Sequence, residues 1–129
     1  MLDSGLKGTI ERNVTAAMTA KEVGSGELEV LATPMLISLA EEAAWKSVAD
    51  ELEEGQGTVG TLMNLKHTVA TPVGMTVRCE TVLEEVDRRR LVFSIKAFDD
   101  KEQIAEGTCE RFIIDNDKFL KKAESKLTH

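Results

Sequence analysis

From residue 74 to residue 114 the chain alternates apolar and polar side chains with a period of two, a pattern that an antiparallel sheet satisfies. Val77, Cys79, Thr81 and Leu83 fall on one face, and Arg78, Glu80 and Glu84 on the other. Successive side chains of a strand point to opposite sides, so one side is marked for a core and the other for water. Asp87-Arg88-Arg89 reads as a tight reversal, after which Leu91, Phe93, Ile95 and Ala97 alternate with Val92, Ser94, Lys96 and Phe98. A second reversal at Asp99-Asp100-Lys101 leads into a strand over 103–114. Upstream, 58–70 is one long strand-like run interrupted by Gly60, and Thr71-Pro72-Val73-Gly74 closes it with turn chemistry. Strands joined by reversals this short pair antiparallel, because parallel pairs need long crossovers.

One strong helix precedes these strands. Thr33 is the expected N-cap, with Pro34 in the first helical position, where its missing N–H goes unused anyway. Alanines at 40, 43, 44 and 49 favour helix, and Leu36, Leu39, Ala40, Ala43 and Ser47 form one stripe for burial. The pattern fades through 50–54 and stops at Gly55. So many small residues let the helix lie close against a sheet. Before it, 8–20 alternates in part and predicts a strand, while 21–29, with Gly24, Ser25 and Gly26, reads as a loop. Residues 115–127 predict a short terminal helix using Phe119, Leu120 and Ala123 as apolar contacts.

The layout is α+β, one helix laid across an antiparallel sheet, and residues 1–129 form a single domain. Val92 and Phe98 place apolar side chains on the second sheet face, which favours cover by another subunit. The element order matches the hot-dog architecture: a long central helix wrapped by a curved antiparallel sheet, with two protomers pairing as a homodimer.

Composition narrows the function. A hydrophobic share of 42% with 30% charged residues describes an ordinary globular chain, its core resting on aliphatic residues and Met for want of Tyr. A net charge of −7 argues against nucleic acid as a partner. Arg88, Arg89, Arg90, Lys118, Lys121 and Lys122 are the local cations that a small anionic ligand could use, or simply solvated surface. Cys79 and Cys109 sit within strands and read as buried reduced thiols; no metal-type spacing accompanies them or His67. No secretory signal is expected over 1–8, and the apolar run 30–40 is about half the ~20 residues of a spanning helix, so a cytoplasmic protein without membrane contact is expected.

Three side chains stand out for chemistry. His67 is the one interior histidine, His129 being the last residue and expected to fray, and only an imidazole titrates near neutrality unperturbed. Alternation puts His67 on the face of Leu65 and Val69, where it is either a core histidine satisfied by a carbonyl or the partner of a carboxylate. Glu41 lies on the helix near Ile37, Ala44 and Val48, either as a border residue reaching solvent or Lys46, or inside a pocket. Glu42 points elsewhere and reads as solvent surface. Thr33 is a cap, or a hydroxyl facing a pocket at the positive end of a helix. Hydroxyl, imidazole and carboxylate together form the logic of an activated nucleophile, though spacing does not show that they meet.

Ala32-Thr33-Pro34, Glu41 eight residues after Thr33, and the run from His67 through Thr68-Val69-Ala70-Thr71-Pro72-Val73-Gly74-Met75-Thr76-Val77 resemble the fluoroacetyl-CoA thioesterase family. Gly107-Thr108-Cys109-Glu110-Arg111 is similar to that family's Gly-Thr-x-Glu-Arg segment. The resemblance runs from about residue 8 to 119. It implies a dimeric hot-dog thioesterase with catalytic Thr33, Glu41 and His67, and Gly60 as the substrate-binding glycine whose N–H faces the thioester. The loop 21–28 departs from the family in having no aromatic residue, which puts specificity for a fluorinated acyl group in doubt. The expected function is hydrolysis of an acyl-CoA thioester to a carboxylic acid and CoA, with no metal or other cofactor and CoA as part of the substrate. The alternative is a non-catalytic dimer that binds an acyl-CoA or another small anionic metabolite. Hydration or dehydration of an acyl thioester is a third option that ranks below hydrolysis, since it leaves Thr33 without a clear role.

Overall fold

The computed structural model describes residues 2–128, so His129 lies outside the described residues. In chain order it runs β1 (Lys7–Asn13), α1 (Ala20–Val23), α2 (Thr33–Ala49), β2 (Gln56–His67), β3 (Thr76–Asp87), β4 (Arg90–Phe98), β5 (Gln103–Asp115) and α3 (Asn116–Glu124). Single 3₁₀ turns occupy Ala16–Met18 and Ser125–Leu127. The five strands form one sheet in the order β1-β3-β4-β5-β2, antiparallel at every pairing. Among the described residues no helix is long and apolar enough to cross a membrane.

The expected α+β arrangement is present, and α2 lies on the sheet by its small residues. Leu36, Leu39, Ala40, Ala43, Ala44 and Val48 are all buried. A Cβ on Gly8 of β1 would run into the Ala43 carbonyl, which shows how closely helix and sheet approach. At the start of α2, Leu36 and Leu39 pack with Val14, Met18, Val77 and Ile104; further along, Ala40, Ala44 and Val48 meet Leu83, Phe93, Ile95 and Cys109. Both cysteines are free and buried, as the alternation predicts.

The elements differ from expectation at four places. The first strand ends at Asn13 and not at 20, because Val14 turns inward with its N–H on the Met75 carbonyl (2.8 Å). The expected loop 21–29 opens with a helical turn, α1, where Thr19 Oγ1 accepts from Glu22 N (3.3 Å) and Gly24 ends the turn at φ +87°. The long run 58–70 stops at His67, since the Thr68 and Val69 N–H groups both bend to the Ile104 carbonyl. The terminal helix forms, yet Phe119, Leu120 and Ala123 stay exposed on the single chain.

On the outer face Phe98 lies beneath the Arg78 guanidinium at 4.9 Å, and Val92 is half-buried. The outer edge of β2 has no strand beside it, and Leu62 stands exposed there.

Candidate active site

The start of α2 is fixed by three backbone bonds: Ala20 N to Val30 O, Leu31 N to Thr71 O and Ala32 N to Met18 O, all 2.8–2.9 Å. Buried Ala32, not Thr33, is the N-cap, and no side chain caps the helix. The one-residue shift matters because it frees the Thr33 hydroxyl. That hydroxyl lies 2.8 Å from Nδ1 of His67, the last residue of β2.

Leu65 and Val69, two residues to either side, pack against the core, and the half-buried His67 shares their face as alternation predicts. Burial pushes its pKa below the ordinary histidine value, partly offset by the nearby Val69 backbone. A neutral imidazole that accepts the threonine proton on Nδ1 must carry its own on Nε2. Nε2 is buried and has no hydrogen-bond partner among the described residues.

Glu41 is elsewhere. Eight residues along α2 from Thr33, it is about 12 Å further down the helix axis at 1.5 Å per residue. Its Oε2 lies 3.4 Å from Nη1 of Arg111, and the Glu41 side chain is 42% exposed against 8% for Arg111. Arg111 is anchored by Nε on Thr58 Oγ1 (2.9 Å) and Nη2 on the Thr58 carbonyl (3.1 Å). Burial pushes its pKa down while Glu41 and Cys109 pull it back. Gly60 belongs with this pair: a Cβ there would come 2.5 Å from Glu41 Oε2 and 3.2 Å from Arg111 Nη1. The register of β2 against β5 slips between Gly60 and Leu62, a bulge of the kind that re-aims a strand.

Within one chain the four residues therefore fall into two separate pairs, Thr33 with His67 and Glu41 with Gly60. Thr33 and His67 border one hollow; Glu41 borders another with Ser38, Trp45 and Arg111. Arg111 is the residue that side-chain spacing had not singled out. Its parity on β5 is the available signal, for it shares the buried phase of Cys109 and Ile113, where a cation needs a partner.

Other candidates are already engaged. Glu42, expected at the solvent surface, accepts from Lys46 (2.6 Å) and Arg12 (2.7 Å), and the Lys46 hydrogen bond leads in holding its carboxyl below the usual range. Arg90 bonds Glu110 and Glu85 at 2.8 Å, Arg89 reaches the Ile113 carbonyl and Arg88 reaches Asp87, so the arginine run is not a vacant anion site. Among the described residues no cluster of His, Cys, Asp or Glu could hold a metal ion.

The family described as fluoroacetyl-CoA-specific thioesterase matches residues 14–117. The fluoroacetyl-CoA thioesterase of Streptantibioticus cattleyicolor is 40% identical over 98 residues, 76% of this chain and 70% of that protein. A crystal structure of a threonine-to-serine variant of the fluoroacetyl-CoA thioesterase FlK with acetyl-CoA superposes with TM-score 0.93 at 32% identity, covering 97% of this chain and 98% of that one. A hot-dog-like protein from Thermanaerovibrio acidaminovorans gives TM-score 0.89 at 20% identity, over 99% of this chain and 95% of that one, and shares the fold.

Proposed function

The chain belongs to the fluoroacetyl-CoA-specific thioesterase family, and from that premise we propose that it hydrolyses an acyl-CoA thioester at a site shared between two protomers. The observation that carries this reading is the 2.8 Å contact between the Thr33 hydroxyl and His67 Nδ1. It puts a hydroxyl and a base within proton-transfer reach, the arrangement that activates a weak nucleophile. Nδ1 takes the hydroxyl proton, the Thr33 oxygen attacks the thioester carbonyl, and the imidazolium returns the proton to the departing CoA sulfur. Water then enters by the same base and releases the carboxylic acid.

The unpartnered Nε2 supports a second protomer. A buried donor left without an acceptor is worth about 1–3 kcal/mol of lost stability. Glu41 of the same chain is too far along the helix to serve, and the open edge of β2 is where a copy can dock. Two β2 edges pairing antiparallel about a two-fold axis between Met63 and Asn64 set Gly60 opposite His67 of the other protomer, since strand partners then have positions summing to a constant. Glu41 of the partner subunit then accepts from Nε2 and steadies the imidazolium. The bulged Gly60 backbone faces the thioester oxygen, a type of contact worth about 10²–10³ in turnover.

Mixing two inactive variants tests this. His67→Ala and Glu41→Gln homodimers are each expected to be nearly inactive. Co-refolded, half the dimers are mixed and each carries one intact site, so about a quarter of wild-type activity returns. No recovery in a preparation shown to contain heterodimers overturns the shared site. A purified wild-type dimer that releases thiol from no acyl-CoA overturns the reaction itself.

A further inference from the structure

Thr33 and His67 leave the same end of one short backbone ladder. After His67 the Thr68 and Val69 N–H groups bend to the Ile104 carbonyl at 3.0 and 3.4 Å, and four residues beyond the histidine the Thr71 carbonyl accepts from Leu31 N (2.9 Å). Val30 and Pro72 pair next to them in the same antiparallel sense. Leu31 stands two residues before Thr33. The 2.8 Å separation of hydroxyl and ring therefore depends on where Thr71 lies against Leu31.

A side-chain bond fixes that place. Thr71 is fully buried, and its hydroxyl donates to Asp99 Oδ2 (2.8 Å) in the turn between β4 and β5. The other carboxylate oxygen, Oδ1, accepts from Lys101 N (2.8 Å) and Glu102 N (3.0 Å), while the Asp99 N–H goes to the Glu102 carbonyl (2.9 Å). One oxygen thus holds the turn and the other holds the threonine. Burial works against the charged carboxyl, but the Lys101 N–H, the Thr71 hydroxyl and the Glu102 N–H together outweigh it and keep Asp99 below the usual carboxylate range. An ionised carboxylate only accepts, so the Thr71 hydroxyl is the donor, in a bond stronger than one between neutral groups. Segment 68–71 is therefore hung twice from one place, on the Ile104 carbonyl at the start of β5 and on Asp99 in the turn before it.

We infer that Thr71 and Asp99 are positioning residues for the reaction: their hydrogen bond fixes the segment after His67 against the segment before Thr33 and so holds the hydroxyl on the ring. Neither side chain touches substrate in this role. The inference rests on the hydrolase reading above and adds two residues to it. Thr71→Val keeps the branched shape and removes the hydroxyl, so the backbone bonds remain while the direction set by the carboxylate is lost. About 1 Å of misplacement can lower a rate by about 10²-fold, and losing one anchor of several is expected to cost about tenfold or more.

Two readouts on the full-length protein in its native assembly test this. One is kcat and KM for acetyl-CoA and longer acyl-CoAs, read as released thiol well below each variant's thermal midpoint. Thr71→Val is expected to lower kcat by about tenfold or more with KM within about twofold, while Thr71→Ser, which restores the hydroxyl, stays within about threefold of wild type. The other is the nitrogen NMR resonance of His67 Nδ1, which needs no substrate. Thr33→Val removes the donor at Nδ1 and marks the full movement of that resonance; Thr71→Val is expected to reproduce at least about half of it and Thr71→Ser almost none. Asp99→Ala removes the same bond from the other side and should match Thr71→Val in both readouts, with the double variant no worse than either. A folded Thr71→Val or Asp99→Ala protein with wild-type kcat, or with an Nδ1 resonance that does not move, overturns the inference. Equal losses in Thr71→Val and Thr71→Ser, or multiplied losses in the double variant, overturn it as well. A wild-type protein that releases thiol from no acyl-CoA overturns the hydrolase reading instead, and the Nδ1 comparison still decides whether this bond holds the hydroxyl on the ring.

Discussion

Gly60→Ala separates the chemistry of Glu41 from its part in stability. The new Cβ would stand 2.5 Å from Glu41 Oε2, where ordinary contact begins at 3.4 Å, so the carboxylate must retreat by about 1 Å. It is free to do so, as the end of a half-exposed side chain held to Arg111 only at 3.4 Å. Loosening such an ion pair removes at most about 1 kcal/mol, and replacing a strand glycine by alanine returns about 0.5–1 kcal/mol. The two nearly cancel, so the thermal midpoint is expected within a few degrees of wild type. For catalysis the same displacement is decisive, because about 1 Å of misplacement can lower a rate by about 10²-fold. Thiol release at saturating acyl-CoA measures kcat, and calorimetry on the same sample measures the midpoint. Gly107→Ala is the contrast: its Cβ would strike the Asn64 carbonyl and come 2.8 Å from Leu65 Cα, so backbone must move and the midpoint should fall sharply. Wild-type kcat in Gly60→Ala at an unchanged midpoint would falsify the idea that the position of Glu41 matters. If Glu41 carries the effect, Gly60→Ala should cause little further loss in a Glu41→Gln background.

Three further expectations follow from the same geometry. Thr33→Val keeps the branched shape and removes no cap, since Ala32 holds that position, so kcat should fall about 10²–10⁴-fold with little change in midpoint while Thr33→Ser keeps activity; equal losses in both would refute the hydroxyl's role. Burial lowers the His67 pKa and, in the proposed dimer, the partner's carboxylate would oppose that, so the His67 ring-proton NMR titration in Glu41→Gln should fall below the ordinary 6.5 and below wild type. In that variant the unfolded state binds more protons than the folded one below pH ~6.5, so stability should decline as pH drops from 6.5 through the lowered pKa, a slope that His67→Gln abolishes. Burial pushes the Cys79 thiol up to about 12 and Cys109 up to about 11, so neither should react with a thiol reagent at pH 8 until the protein unfolds; fast labelling of the native protein would contradict the core described above.

The parts of this molecule legible in its sequence are those fixed by local periodicity. Val77 to Ala97 lie as their alternation requires, and the stripe from Leu36 to Ala43 is buried because its spacing matches one helix turn after another. Periodicity fails where one distant contact decides. Threonine is a better cap than alanine, so local chemistry selects Thr33 for that position; the structure assigns it to Ala32, and the Thr33 hydroxyl pairs with a ring 34 residues away. Arg111 illustrates the converse. Its buried parity was visible, but its partners Thr58 and Glu41 lie 53 and 70 residues upstream, beyond the reach of any spacing rule.

The division of the site follows from the geometry of one helix and one strand. Thr33 and Glu41 are separated along α2, and His67 and Gly60 are separated along β2 by about 23 Å at 3.3 Å per residue. Helix and strand run so that the hydroxyl meets the ring at one end and the carboxylate meets the glycine at the other. No side-chain rotation closes that gap within a chain. In the dimer proposed above, a two-fold axis across the middle of β2 would close it twice, because antiparallel pairing would bring each end of the strand against the opposite end of its copy. In that proposed dimer the bulge at Gly60–Thr61 would turn the strand where the neighbouring protomer's ring would fit. Association and catalysis become one equilibrium under this arrangement: the acceptor that satisfies the buried Nε2 is the same group that makes the imidazole an effective base.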